Sequence, residues 1–258
     1  LQTEQGDTIT TGFVYQPSFA EWVDGVQLAI DWFEIDLAKS IGLYGGQAIV
    51  NDCYFTQDPF ACSLVRRDPL GNPGQVQQIL NVQTNSGGAQ TRGVDVELQY
   101  SAEPNLFGNQ EESFTARTMV GYLSERSTTT AAGIYTNFVK RIGTPEYSAL
   151  ATFNYNIADF GIMLQSIYED STLSNGNNPA LTGINSNWVE GVDVDDNTNL
   201  GLTYGREMQN GGNWLASFNV NNMFDRDPPI IAGTGGQAVS NSHDVFGRRY
   251  QISLNMNF

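Results

Sequence analysis

The sequence predicts an all-β fold, a transmembrane antiparallel β-barrel to which this chain supplies about nine strands. Three observations predict it. About nine segments alternate apolar and polar residues with a period of two, which is the pattern of β-strands. The apolar positions of these segments hold no Asp, Glu or Lys within the spanning part. The connections between the segments are alternately long and short, as they are in outer-membrane barrels.

The segment from Arg248 to Phe258 shows the alternation over its whole length. One parity holds Arg248, Tyr250, Ile252, Leu254, Met256 and Phe258, and the other holds Arg249, Gln251, Ser253, Asn255 and Asn257. A strand needs about 9 to 11 residues to cross the hydrocarbon at a tilt, so this segment is long enough. The terminal strand of a secreted β-domain would alternate in the same way, and the other segments must distinguish the two.

Eight further segments follow the same pattern along the chain. They are Thr8 to Gln16, Val26 to Leu37, a long segment from about Ile79 to Tyr100, Phe114 to Tyr122, Tyr147 to Tyr155, Phe160 to Tyr168, Leu200 to Tyr204, and Trp214 to Val220. The apolar parity changes between Trp32 and Phe33, which predicts a bulge or a strand end. Residues 38–78 are rich in Asp, Gly, Pro and Asn, and we expect a large excursion there.

The charges on these segments favour a membrane wall over a soluble sheet. Asp31, Asp95, Glu97 and Arg117 all lie on the parity opposite to the apolar one. A basic side chain facing lipid at mid-bilayer costs about 2–4 kcal/mol, so the apolar face of a membrane wall must exclude charge. Long loops are predicted at about 125–145, 170–197 and 224–244, and short connections near 156–159 and 209–213.

The composition excludes some classes of protein. The formal net charge is −16, and the 12 Lys and Arg residues are scattered, so we expect no nucleic-acid partner. No apolar run approaches the roughly 18 residues of a membrane helix. The chain opens at Leu1 without a signal peptide, so we expect it to be processed, trimmed or incompletely observed.

The two cysteines, Cys53 and Cys62, lie in a polar, aromatic stretch that contains Pro59. They lack the His or Cys companions of a zinc site. We predict that they form a disulfide in a surface loop, which implies an oxidising compartment. The alternative is two free thiols, because sequence spacing does not establish a bond.

Several motifs resemble the TonB-dependent outer-membrane receptors, in the order of that family. They are LQTEQGDTITTGFVYQP at 1–17 with VQLAIDWFEIDL at 26–37, TRGVDVELQY at 91–100, FNVNNMFDRDPP at 218–229, and FGRRYQISLNMNF at 246–258. The resemblance implies a 22-stranded plugged barrel in the bacterial outer membrane, of which residues 1–258 form the C-terminal part. It also implies that the N-terminal plug, the TonB-contacting segment and the earlier strands are absent from this chain.

The resemblance further implies a function and a set of partners. Such receptors import a bulky, scarce nutrient, namely a metal chelate, cobalamin or an oligosaccharide, with energy supplied through TonB. The expected partners are outer-membrane lipid and lipopolysaccharide, the rest of the barrel and its plug, TonB through the missing N-terminal region, and an unidentified imported ligand. The alternative is a passive porin or a structural outer-membrane β-barrel protein, followed by a secreted β-sandwich lectin.

Catalysis and metal binding are not expected. Ser240, Ser242, His243 and Asp244 have the residue types of a hydrolase triad, but there is no G-x-S-x-G elbow, and we interpret them as polar loop residues. We expect no cofactor. Asp193, Asp195, Asn197 and Asn199 alternate like the start of a calcium loop, although Thr198 stands where the formula needs Gly and Tyr204 where it needs the closing acid.

Aromatic and basic loop residues are the candidates for ligand contact. The candidates are Arg66, Arg67, Tyr135 and Trp188, together with three aromatic residues near the cysteines: Tyr54, Phe55 and Phe60. Arginines pair with ligand carboxylates, and aromatic faces stack on sugar rings or chelates. The alternative for each residue is packing against neighbouring loops.

Overall fold

The computed structural model describes residues 1–20, 23–68, 74–108, 110–140, 143–170, 195–207, 212–227 and 246–257. Nine long strands form the main sheet. They are β1 (Gln5–Tyr15), β2 (Val26–Leu43), β5 (Gln83–Ala102), β6 (Glu112–Thr129), β8 (Tyr147–Ile157), β9 (Phe160–Glu169), β10 (Asp195–Glu207), β11 (Asn213–Asn221) and β12 (Arg249–Asn257). Each of the nine predicted segments corresponds to one of these strands.

The strands of the main sheet follow one another in chain order, β1-β2-β5-β6-β8-β9-β10-β11-β12, and the short strand β7 (Tyr135–Asn137) pairs with β6. The pairs β6–β8, β8–β9, β9–β10, β10–β11 and β11–β12 are antiparallel. Within the described ranges the sheet ends at β1 and β12 and does not close. The count of 22 strands therefore stays a prediction.

A smaller group of elements occupies the excursion between β2 and β5. Helix α1 (Gly46–Asn51), a π-helical turn (Asp52–Thr56) and helix α2 (Pro59–Ser63) precede the two-stranded hairpin of β3 (Val65–Arg67) and β4 (Val76–Ile79). None of the helices in the described ranges is long and apolar enough to cross a membrane.

The chain divides into two compact units. The first consists of Leu1–Thr10, Phe33–Arg92 and Glu125–Phe138, and the second of Thr11–Trp32, Gly93–Ser124 and Val139–Phe258. Strands β1, β2, β5 and β6 contribute residues to both units. The boundary inside β2 falls between Trp32 and Phe33, where the apolar parity of the sequence changes.

Very little apolar surface is buried in either unit. In the described part of the chain, the buried aliphatic side chains are Ile49, Ala61, Leu64 and Ala131 in the first unit and Val23 and Val220 in the second. Ile49, Ala61 and Leu64 belong to the helices and the segment that leads to their hairpin, which therefore have a small core, whereas Ala131 lies in the turn after β6. The sheet of the second unit is a single layer, because no described element packs on its apolar face.

The structure adjusts three sequence expectations. The large excursion predicted at 38–78 is present, although it begins only after Leu43, where β2 ends, and helices and a hairpin fill most of it. The loop expected at 125–145 begins later, because β6 continues to Thr129 and β7 follows. Strand β2 does not end at the parity change. The short connection predicted near 156–159 is confirmed, since only Ala158 and Asp159 separate β8 from β9. Most of the connection predicted near 209–213 lies outside the described residues.

The turn after β11 is built around Asn222. Its backbone is left-handed, with φ of 51°, a conformation that Asn tolerates better than most residues. The side chain is fully buried and forms two hydrogen bonds with the backbone of Arg226, one as donor and one as acceptor. Its backbone amide donates to Oδ1 of Asn199 at 3.0 Å, so β10 holds this turn in place.

Candidate functional site

The strand registers of the second unit combine the apolar parities of six strands into one continuous face. Phe153 lies opposite Ala116 of β6 on one side and Leu164 of β9 on the other. Further along the sheet, Leu202 pairs with Ile162 and Phe218, and Phe218 pairs with Ile252. A register shift of one residue in any pair would have moved the apolar side chains of that strand to the opposite face. The placement of all six apolar parities on one face is therefore specific. We call this surface the apolar face.

Large side chains on the apolar face are exposed. Ile252 is 81% exposed and Leu254 is 55% exposed, although both are aliphatic and lie near the middle of β12. Phe153, Ile162 and Leu202 on the inner strands are also exposed. A contiguous apolar surface of this kind marks contact with another apolar phase or partner.

Aromatic rings mark two levels on the apolar face. One level is the row of Tyr122 and Tyr147, whose ring centroids lie 4.9 Å apart. The other runs through Phe160, Tyr204 and Trp214, with successive centroids 4.4 and 5.2 Å apart. Tyr100 and Phe114, with ring centroids 6.1 Å apart, belong to this second level, since Phe114 pairs with Tyr155 at the end of β8 that leads to Phe160.

The spacing of the two levels matches a membrane. Three strands carry aromatic residues at both levels, eight positions apart: Phe114 and Tyr122, Tyr147 and Tyr155, and Phe160 and Tyr168. Eight strand residues span about 27 Å along the strand. At a tilt of about 40° this becomes about 20 Å, close to the apolar band of roughly 25 Å in outer-membrane barrels. Rings at these levels would lie at the two membrane interfaces.

The opposite face of the same strands is polar. Side-chain hydrogen bonds link neighbouring strands there, for example from Asn156 to Ser113 at 3.2 Å and between Ser217 and Ser253 at 2.5 Å. Arg117 Nε lies 2.6 Å from Glu97 Oε1. We call this surface the polar face. It holds the charges that the sequence placed opposite the apolar parity.

The polar face of the second unit also contains a cavity of about 500 Å³. It is lined by the acidic residues Asp31, Asp95, Glu97 and Glu169 and by the apolar side chains of Met119, Leu150 and Ile167. Sequence reasoning missed this cavity, because the three apolar residues come together only through the strand registers.

In the first unit, Cys53 and Cys62 are bonded to each other and join the π-helical turn to α2. Asp58 begins α2, and its Oδ1 accepts hydrogen bonds from the backbone amides of Phe60 and Ala61. Tyr44 donates its phenolic proton to Asp52 Oδ2 at 2.8 Å. This hydrogen bond raises the pKa of Tyr44 above its ordinary value, because loss of the proton would break it. These bonds hold residues 52–62 in one defined conformation.

The disulfide-linked segment carries exposed aromatic rings. Tyr54 and Phe55 are 71% and 75% exposed, and their rings form an edge-to-face pair with centroids 4.9 Å apart. Of the two candidate arginines on β3, Arg67 donates to the backbone oxygen of Gly74 within the hairpin. The Arg66 side chain is exposed and forms no ion pair within the described residues. Arg66 therefore fits the ligand-contact hypothesis better than Arg67 does.

Tyr135 belongs to a polar network of the first unit. Its hydroxyl donates to Glu125 Oε1 at 3.1 Å, and Glu125 Oε2 lies 3.8 Å from Arg92 Nη1. Arg92 also contacts Glu34, with Nη2 and Oε1 2.6 Å apart. The Tyr135 ring is exposed, so its face is accessible for ligand contact, although its hydroxyl is hydrogen-bonded to Glu125. Trp188, the fourth candidate, lies outside the described residues.

The remaining sequence candidates fall mainly outside the described ranges. Ser240, Ser242, His243 and Asp244 lie there, as does Asp193. Asn197 and Asn199 of the calcium hypothesis lie in strand β10, and the Asn199 amide group bonds to Gln165 and to the backbone of Asn222. In the part of the chain that the structure describes, no three His, Cys, Asp or Glu side chains are arranged to hold a metal ion.

No protein-family model and no curated protein sequence matches this chain. Among solved structures, the crystal structure of the outer membrane transporter YddB from Escherichia coli is similar, with a TM-score of 0.61 and 11% sequence identity. The match covers 100% of this chain and 33% of that chain, so this chain spans about one third of the transporter's length. At this identity the likeness shows the fold alone, which is that of part of an outer membrane transporter.

Proposed function

We propose that this chain is the C-terminal part of the β-barrel of a TonB-dependent receptor in the bacterial outer membrane. The observation that carries the proposal is the apolar face, in which five strand registers align the apolar parities of six strands. The fold that the chain shares with part of an outer membrane transporter supports it.

Lipid is the partner that best explains the apolar face. A β-sandwich would cover such a face with a second sheet about 10 Å away, and the only other sheet in the described ranges is the hairpin of β3 and β4. The two aromatic levels fit the membrane interfaces, where lipopolysaccharide and lipid head groups begin. The polar face would then line a water-filled interior.

The two end strands imply that further barrel strands complete the wall. Unpaired backbone groups in hydrocarbon cost several kcal/mol each, so β1 and β12 must each be paired within the membrane. The remaining strands of a 22-stranded receptor would supply these partners, and its plug would occupy part of the lumen and leave water against the rest of the polar face. TonB would act through the N-terminal region of that receptor.

The proposed cargo is a bulky, scarce nutrient: a metal chelate, cobalamin or an oligosaccharide. Strands β2, β5 and β6 are 18, 20 and 18 residues long, more than the roughly 9 to 11 needed to cross, so part of each lies outside the hydrocarbon. The exposed Tyr54, Phe55 and Arg66 offer stacking and carboxylate-pairing groups for ligand capture. The function includes no chemical step, and we expect neither catalysis nor a resident cofactor.

The test is fractionation and uptake in the natural host. The protein should remain with the outer membrane after salt washing and be released only by detergent. Uptake of a ferric chelate, cobalamin or an oligosaccharide should fall when the gene is deleted, and fall equally when tonB is deleted in the intact strain. Uptake that persists without TonB would favour a passive porin. Recovery of the protein in a soluble fraction would contradict both.

A further inference from the structure

The floor of the polar-face cavity is an apolar row. Met119 of β6 lies directly opposite Leu150 of β8, and Leu150 lies opposite Ile167 of β9. Met119 and Ile167 are 40% and 39% exposed, so their apolar surface faces the cavity. The neighbouring row on the same face is Arg117, Thr152 and Gln165, which is fully polar. This apolar row offers a contact surface for the apolar part of a ligand.

The free space above these three apolar side chains depends on the lack of a side chain at Gly121. A Cβ at this position would lie 3.1 Å from Ser148 Oγ and 3.4 Å from Asp95 Oδ1, so any larger side chain would crowd the rim. Gly121 and Ser148 form the next cross-strand pair after Met119 and Leu150 on this face. The cavity of about 500 Å³ lies within the range of roughly 300–1,000 Å³ for small-molecule sites.

The negative charge of the side chains around the cavity favours a positively charged ligand. Four carboxylates line the cavity, from Asp31, Asp95, Glu97 and Glu169, and no described lining residue is basic. The nearby Arg117 forms an ion pair with Glu97, which leaves the local charge negative. Walls of one charge sign around a concave apolar floor concentrate counter-ions of the opposite sign.

We propose that this cavity binds an organic cation, a compact apolar body carrying one positive group. The apolar body would lie on Met119, Leu150 and Ile167, and the positive group would face Asp31 and Asp95. The inference deepens the proposed function and rests on it in one respect, namely that the polar face lines a water-filled interior. It assigns a cationic ligand to that interior on the basis of shape and charge complementarity.

The probe is benzyltrimethylammonium, measured by isothermal titration calorimetry on the protein extracted from its own outer membrane in detergent. Benzoate serves as the anionic probe of similar size. We expect the cation to bind saturably at one site. Its affinity should fall at high salt, because the carboxylates are partly exposed. Benzoate should not bind. The double variant Asp31→Asn/Asp95→Asn should weaken binding of the cation about tenfold.

Three further variants test the shape of the site and the background. Met119→Thr should weaken binding about fivefold by removing apolar contact without changing charge. Asp24→Asn is the matched control, because this carboxylate lies in the turn before β2, beyond the stretch from Val26 to Asp31 that spans about 17 Å, and should leave the affinity unchanged. A Gly121→Val variant should abolish binding by filling the rim.

Three results would overturn the inference: no saturable binding of the cation, equal binding of benzoate, or equal loss of affinity in Asp24→Asn and in the double variant. The failure of this inference is separable from failure of the proposed function. A protein that is extracted from the outer membrane and supports TonB-dependent uptake, but does not bind the cation, refutes only the cavity assignment.

Discussion

Phe218 and Ile252 lie directly opposite each other on β11 and β12, on the apolar face, and Ile252 is nevertheless 81% exposed. Cross-strand apolar pairs in soluble sheets are covered by a second layer. No such layer covers this pair in the described ranges of the chain. The exposure of this apolar pair is therefore expected of a sheet whose apolar face meets lipid.

Ile252→Lys should block assembly into the outer membrane. In water, a substitution at so exposed a site changes stability by no more than about 0.5 kcal/mol. Facing lipid near mid-bilayer, the same lysine costs about 2–4 kcal/mol. The measurement is the amount of protein recovered in the outer-membrane fraction, with the heat-modifiable migration of folded barrels as readout.

The matched control for Ile252→Lys is Gln251→Lys, on the adjacent residue whose side chain belongs to the polar face. This variant should assemble at wild-type levels. Equal assembly of the two variants, or a larger defect in Gln251→Lys, would refute the assignment of the two faces.

Tyr204→Ala should weaken the aromatic level formed with Phe160 and Trp214. The two ring contacts, at 4.4 and 5.2 Å, contribute about 0.5–1.5 kcal/mol each. We expect the free energy of unfolding in lipid vesicles to fall by about 1–3 kcal/mol, measured by urea titration. Tyr204→Phe keeps both contacts and should retain most of the stability, whereas similar losses in both variants would argue against ring packing as the cause.

Replacing Cys53 and Cys62 by serine should loosen the helices of the first unit and leave the sheet intact. The disulfide closes a short loop, because the two residues are 9 positions apart, and such a crosslink contributes about 2–3 kcal/mol. Hydrogen exchange at the amides of Ile49 and Leu64 should speed up, while exchange in β8 and β9 should not change. Non-reducing mass spectrometry that finds two free thiols in the native protein would contradict the bond itself.

The hydrogen bond from Tyr44 to Asp52 should make this region sensitive to alkaline pH. The bond raises the pKa of Tyr44, so the folded state holds the phenolic proton more tightly than the unfolded chain does. Its stabilising contribution is complete below the ordinary tyrosine pKa of about 10 and is lost as the pH rises through the raised pKa. NMR of ring-labelled tyrosine, assigned with Tyr44→Phe, should show Tyr44 titrating at higher pH than it does in Asp52→Asn. Identical titration in the two proteins would rule out this hydrogen bond.

Most strand residues could be predicted from the sequence because a sheet with one apolar and one polar face imposes a strict alternation on them. Residues such as Phe153, Leu202 and Ile252 alternate with polar neighbours, and all nine segments with this pattern are strands. The residues of β2 beyond Leu37 and of β6 beyond Tyr122 could not be located in this way, because they show no regular apolar alternation. Glu125 in this part of β6 belongs instead to a polar network with Arg92 and Glu34.

The helices of the first unit were missed, although one of them has a sequence signal. Asp58 followed by Pro59 is a typical N-cap and first helical residue, and α2 begins there. The π-helical turn has no comparable signal, and its conformation depends on the disulfide and on contacts of Asp52. The polar-face cavity could not be predicted, because its floor forms only when the registers place Met119, Leu150 and Ile167 side by side.

The most direct test of the membrane-wall assignment is a fluorescence quenching scan along β12. Single cysteines introduced at each position from Gln251 to Met256 would be labelled with an environment-sensitive dye in the folded, membrane-inserted protein. Lipid-borne nitroxide should quench the dye at positions 252, 254 and 256, and aqueous iodide should quench it at 251, 253 and 255. Quenching without this alternation, or with the two quenchers exchanged between the parities, would contradict the account.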